Sequence, residues 1–190
     1  MLETWVSIAI GLGLSAACGF RVFVPLLVLS VASMQGHVPL AAGFEWIGTM
    51  PALIAFATAT ALEVLAYYIA WFDHLLDTMA TPTAVVAGVI ASASVLTELP
   101  PLVKWGVALI GGGSVAGLVQ GATVLARVKS AALTGGIGNP VFATLELVGS
   151  ITTAVLAIII PLVCLLLVIG LCFFIFRASR RLLFGRRHVT

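Results

Sequence analysis

The stretch Gly11–Met34 reads GLGLSAACGFRVFVPLLVLSVASM, an apolar run long enough to cross a bilayer with one arginine, Arg21, near its middle. Moving such a charge to the centre of lipid costs about 2.5–3.5 kcal/mol on insertion scales. A chain that keeps it there gives it a partner or a water-filled cavity, so the other runs are read as the housing of Arg21.

That housing is membrane-embedded. Only 8% of the 190 residues are charged and 62% are hydrophobic, whereas a soluble domain carries roughly 25% charged residues. The net charge of +2 matters less than its placement. Arg177, Arg180, Arg181, Arg186 and Arg187 crowd the end of the chain, which the positive-inside rule reads as a cytoplasmic anchor. Residues 1–176 are thus expected to form a transmembrane helical domain and residues 177–190 a basic cytoplasmic tail. A nucleic-acid role for a tail that directly follows an apolar span is not favoured. Cys18, Cys164 and Cys172 lie in apolar runs without metal-ligand spacing and read as small buried hydrophobes. The N-terminus carries Glu3 and no basic residue, so no cleaved signal peptide is expected.

Five apolar runs are visible: Trp5–Met34, Pro51–Phe72, Thr83–Thr97, Leu102–Ala126 and Val141–Phe176. A straight span takes about 20 residues. The first and fifth runs are too long for one simple span and the third is short, which predicts tilted, kinked or interrupted helices. Trp5, Trp46, Trp71 and Trp105 stand at run ends, where an aromatic belt places indoles. The expected fold is an all-α polytopic bundle of five spans, or six if the chain turns near Pro161. No polar residue marks a turn there, so Pro161 is read as a kink.

Small residues recur in steps of four at Gly11, Ser15 and Gly19, and again at Gly113, Gly117 and Gly121. The second stripe is expected to pack against the first run. Each stripe leads to a Gly/Pro connector and then to a helix holding a glutamate, Glu63 or Glu146. An inverted repeat, a recurring transporter architecture, and mere shared composition explain this equally well.

Several residues could carry chemistry. Arg21 and Glu63 lie near the middle of their runs and can pair, either as a site for an anion or as a structural bridge between helices. Gln120 adds a polar group inside the fourth run and could share that cavity. Asp73, His74 and Asp77 follow a helical spacing near a span end. They could bind a hard cation or relay protons, although a polar interfacial end is the plainer reading. In Thr134–Pro140 the glycines allow close backbone approach, and Asn139 is expected to cap a helix starting at about Pro140 or to meet a ligand. Glu146 follows as a second acidic partner for Arg21.

The segments GLGLSAACGFRVFVPLL, FDHLLDTMATPTAVVAG and GGGSVAGLVQGATVLARVKSAALTGGIGNP, the last followed by a glutamate helix, resemble the bacterial membrane proteins grouped as domain-of-unknown-function family 4126. The resemblance covers most of the chain apart from the tail. It implies a multi-span protein of the bacterial inner membrane and no particular activity.

The function expected from these residues is a small transporter or channel for a small anionic solute, or one coupled to protons or ions. Its candidate ligand-binding residues are Arg21, Glu63, Gln120, Asn139 and Glu146. The alternative is a structural or accessory membrane protein without transport. No nucleophile–base spacing, H-E-x-x-H or cysteine cluster points to an enzyme, and no cofactor or metal is expected. The partners are the lipid bilayer and a small solute or ion, with a homo-oligomer as a further option for a glycine-rich surface.

Overall fold

A computed structural model describes residues 2–67, 73–134 and 138–184. For residues 73–78, 139, 179 and 181–184 it describes the helical backbone alone. These residues form seven helices and no strand: α1 (Leu2–Phe20), α2 (Phe23–Met34), α3 (Met50–Tyr67), α4 (Asp73–Val95), α5 (Pro101–Thr134), α6 (Asn139–Ile159) and α7 (Pro161–Phe184). Five of them, α1, α3, α5, α6 and α7, are long and apolar enough to cross a membrane. The chain is a multi-span membrane protein.

Proline sets most of the boundaries. Residues Pro51, Pro101, Pro140 and Pro161 sit in first helical turns, where a missing N–H leaves nothing unsatisfied. Pro25 also lies in the first turn of α2. In a continuous helix its ring would meet the carbonyl of Arg21, four residues back. The first run therefore breaks after Phe20 and becomes two helices. The fifth run breaks at Ile160, whose φ of −136° and ψ of 70° leave the helical region, as a residue before proline tends to do.

Both breaks are reversals. Cys164 Sγ lies 3.6 Å from Thr153 O, eleven residues away and out of reach along one helix. The expected kink at Pro161 is thus the turn of an α6–α7 hairpin. Likewise α1 runs antiparallel to α6, with Arg21 Nη2 donating to Ala143 O and Ser150 Oγ donating to Ala17 O. Yet Val28 and Val31 of α2 share a groove with Val155 and Ile159. So α2 has turned back along α1, and Arg21 is the tip of that hairpin.

Small residues let α1, α4 and α5 touch. A Cβ on Gly88 would stand 2.6 Å from Ala116 Cβ, and one on Gly112 would stand 2.9 Å from Gly88 O and from Ser15 Oγ. Ser15 Oγ lies 2.7 Å from Gly88 O and 2.8 Å from Gly11 O, so its one proton serves two carbonyls. The expected stripe is displaced by one residue. Gly112 and Ala116 sit between α1 and α4, against Ser15 and Gly19 on one and Gly88 on the other, Gly113 and Gly117 face Val89 and Val85 on α4, and Gly121 meets nothing within 4 Å. The π turn over Val107–Gly113 explains the shift, because a wider turn rotates every later side chain around the helix. The stretches of α1 and α5 that carry the stripes run parallel, with Ser15 beside Gly112 and Gly19 beside Ala116. Helix direction therefore gives no support to an inversion relating them.

Candidate functional site

Among the described residues, four charged side chains meet at the tip of the α1–α2 hairpin. Arg21 comes from the break itself, Glu63 from α3, Arg127 from α5 and Glu146 from α6. Arg21 is 1% exposed, Arg127 2% and Glu146 4%. Tyr67, at the end of α3, makes a cation–π contact with each of the two cations. Its ring centroid is 3.9 Å from Arg21 Cζ and 4.3 Å from Arg127 Cζ. A desolvated cation on an aromatic face gains about 2 kcal/mol, so Tyr67 helps to hold both guanidiniums in place.

The two carboxylates do different work. Glu63 accepts the N–H of Val22 at 2.8 Å and that of Phe23 at 3.1 Å. These are donors at the start of α2 that no helical carbonyl can reach, and negative charge is favoured at that end of the helix dipole. Glu63 is thus a helix cap supplied from a neighbouring helix, and the expected direct Arg21–Glu63 bridge is not the contact it makes. Glu146 instead engages Arg127 with both oxygens. Arg127 Nε donates to Oε1 at 3.1 Å and Nη2 donates to Oε2. Glu146 Oε2 also stands 3.8 Å from Arg21 Nη2.

Arg21 is left with spare capacity. Its Nη2 donates to Ala143 O. Its Nε and Nη1 are buried without a hydrogen-bond partner among the described residues, and so is Nε2 of buried Gln120. Buried donors of this kind cost about 1–3 kcal/mol each when left unsatisfied. They define what the site can accept: an anion or a strong hydrogen-bond acceptor. A groove of about 310 Å³ opens beside this layer between α5, α6 and α7. Phe20, Val119, Phe142 and Leu171 wall it, and Glu146 is part of its lining.

Arg21 does not sit midway between the ends of the bundle. Trp5, Trp46 and Trp105 are exposed and gather at the amino end of α1, where Phe44 packs on Trp105 and Phe56 on Trp46. Sixteen residues separate Trp5 from Arg21, a rise of about 24 Å. With a hydrocarbon core about 30 Å thick, a tryptophan belt on one boundary places the charged layer near the other. The mid-run position of Arg21 in the sequence comes from the hairpin, which folds the second part of the run back along the first.

Of the residues expected from the sequence, Arg21, Glu63 and Glu146 come together in this layer. Gln120 is buried on α5, and among the described residues its Nε2 has no hydrogen-bond partner. The helix expected at Pro140 begins at Asn139, with Gly138 in the cap position and its N–H donating to Thr134 Oγ1 at 3.1 Å. The side chain of Asn139 lies outside the described residues, as do those of Asp73, His74 and Asp77. No group of three or more metal-ligating side chains occurs among the described residues. Sequence reasoning missed Arg127 as a site residue, because the fourth apolar run ends at Ala126 and Arg127 then reads as the first residue of a loop. The i,i+4 spacing of Arg127 from Thr123, which lines the groove, was the available signal.

Comparison with known protein families matches residues 8–181 to a domain of unknown function, DUF4126. No curated protein and no solved structure matches. The match spans nearly all of the helical bundle, including every charged residue of the buried layer, and the chain belongs to the DUF4126 family.

Proposed function

We propose that the chain is a small transporter or channel for a small anionic solute, with Arg21 as the counter-charge of that solute. The observation that carries this reading is the pair of unpartnered donors on Arg21, Nε and Nη1, in a residue only 1% exposed. Interhelical hydrogen bonds in membranes average about 0.6 kcal/mol. That is too little to explain keeping a buried guanidinium whose donors are mostly unused. Glu146 beside the groove and Gln120 on α5 supply further polar groups around a path near this layer, and no enzymatic role is proposed.

A structural or accessory role is the competing reading. It is favoured by the two-oxygen pairing of Arg127 with Glu146, which ties α5 to α6 without any ligand. Flux assays in proteoliposomes separate the two. Vesicles holding the purified protein should take up chloride, nitrate or inorganic phosphate above protein-free vesicles, and Arg21→Gln should remove that uptake. Background uptake for all three anions with well-folded protein would favour the structural role.

A further inference from the structure

We propose that the groove between α5, α6 and α7 seats an acyl chain of an anionic phospholipid, whose phosphate is held by Lys129 and Arg177 at the groove's charged end. This goes beyond the anion reading above and does not depend on it.

The lining selects a hydrocarbon chain. The groove measures about 310 Å³, and apart from Thr123 and Glu146 every residue along it is apolar. Both oxygens of Glu146 are turned to Arg127. Leu145 and Phe174 on its rim are exposed, and α5, α6 and α7 are all spans. The groove therefore opens sideways, into the bilayer. No water stands in the bilayer core, so what fills an apolar groove there is a lipid tail.

The basic residues select the headgroup. Both α5 and α7 run toward the charged layer as they pass the groove. Lys129 lies three residues beyond Ala126, and Arg177 three beyond Phe174, so each stands one turn past a groove residue. Both are exposed, and among the described residues neither is in an ion pair. The charged layer is near one membrane boundary, so one turn further on is headgroup depth. Long basic side chains there reach up to a phosphate. The acidic start of α4 is elsewhere. Nine residues, or two and a half turns, separate Ala126 from Gly117, which packs on Val85 of α4. Thus α4 lies across α5 from the groove, with Asp73, His74 and Asp77, whose side chains are outside the described ones.

Such a lipid ties α7 to the bundle. Of the stretch Pro161–Ala178 only 11% is buried, against 56% of Leu2–Phe20. Among the five spans α7 has the least protein around it. A tail lying between α5 and α7, with its phosphate held by one residue from each, adds contacts that the helices lack. Retention of anionic over neutral lipid, and stabilisation by it, are the two consequences.

The test uses the full chain, purified in detergent, stripped of lipid and given equimolar phosphatidylglycerol and phosphatidylcholine with the same tails. Native mass spectrometry should show phosphatidylglycerol retained over phosphatidylcholine by about tenfold, since each basic residue contributes a few-fold at an anionic headgroup. Phosphatidylglycerol should also raise the melting temperature more. The double variant Lys129→Gln with Arg177→Gln alters two exposed residues, so it should fold and lose the preference. Lys104→Gln, at the opposite end beside Phe44, should keep it. Ala122→Phe, which fills the groove, should lower retention of both lipids. Glycerol phosphate, which carries the charge without tails, should not compete. Equal retention of the two lipids by the wild type, an unchanged preference in the double variant, or its loss in Lys104→Gln would each overturn the proposal. So would competition by glycerol phosphate, or normal retention by folded Ala122→Phe. The comparison of wild type with the double variant decides the matter even where Ala122→Phe fails to fold.

Discussion

Glu146 grips Arg127 with both carboxylate oxygens while standing 3.8 Å from Arg21, so one acidic side chain on α6 joins two guanidiniums from separate elements. The two arginines are therefore unequal. Arg127 is the structural partner of Glu146, and Arg21 is the less occupied cation beside them.

Arg127→Gln should destabilise the protein far more than Arg21→Gln. It strands Glu146 in a site 4% exposed, and breaking a buried pair by removing one partner costs about 3–5 kcal/mol. Thermal unfolding in detergent should show a clear drop for Arg127→Gln. The double variant Arg127→Gln with Glu146→Gln should regain part of the loss. Equal melting temperatures for the two single variants would contradict this asymmetry.

Removing the carboxylate of Glu63 should loosen the start of α2. The N–H groups of Val22 and Phe23 lose their acceptor, at about 1–3 kcal/mol for each buried donor left unmade. Hydrogen exchange at these two amides should speed up in Glu63→Ala. Amides near the middle of α5 should keep their protection. Unchanged exchange at Val22 and Phe23 would show that Glu63 is not the cap.

Glycine sensitivity should follow the helix contacts and not the spacing in the sequence. Gly88→Ala places a methyl 2.6 Å from Ala116 Cβ, and Gly112→Ala places one 2.9 Å from a backbone oxygen. Overpacking of this kind costs about 1–3 kcal/mol, so both variants should melt lower. Gly121→Ala, with nothing within 4 Å, should melt like the wild type.

The helix directions also predict an orientation. Seven alternating helices leave Glu3 at one end and put Arg127, Lys129, Arg177 and Arg180 together at the other. By the positive-inside rule that second end is expected to be the cytoplasmic one. In a cysteine-free background, a single cysteine at Glu3 should react with an impermeant thiol reagent from outside whole cells. One at Lys129 should react only after permeabilisation, and the reverse pattern would invert the orientation.

The sequence made some of this legible and hid the rest for physical reasons. Arg21 and Glu146 stand out because a charge inside an apolar run needs a partner. The apolar runs follow from hydropathy, since lipid forces each span to be apolar along its length, but Val141–Phe176, read as one run, holds two of the five candidate spans. The turn at Pro161 was hidden. A tight hairpin inside apolar surroundings needs only the proline and one residue outside the helical region, and neither is polar. Arg127 was hidden because its burial depends on α6 and on the ring of Tyr67, both distant in sequence. The link from Glu63 to Val22 and Phe23 was hidden because its donors are backbone groups, which have no signature in residue type. The one-residue shift of the glycine stripe required the π turn, which the run VALIGGG does not announce.

The central claim is that Arg21 is kept as the counter-charge of a transported anion. The most direct measurement is uptake of chloride, nitrate and inorganic phosphate by proteoliposomes containing wild-type or Arg21→Gln protein, with monodispersity and melting temperature recorded on the same samples. The account predicts uptake of at least one anion by the wild type, and at least a tenfold loss in Arg21→Gln with folding retained, because Glu146 keeps Arg127 as its partner. Wild-type uptake at background for all three anions, or an Arg21→Gln protein that folds and transports normally, would contradict it.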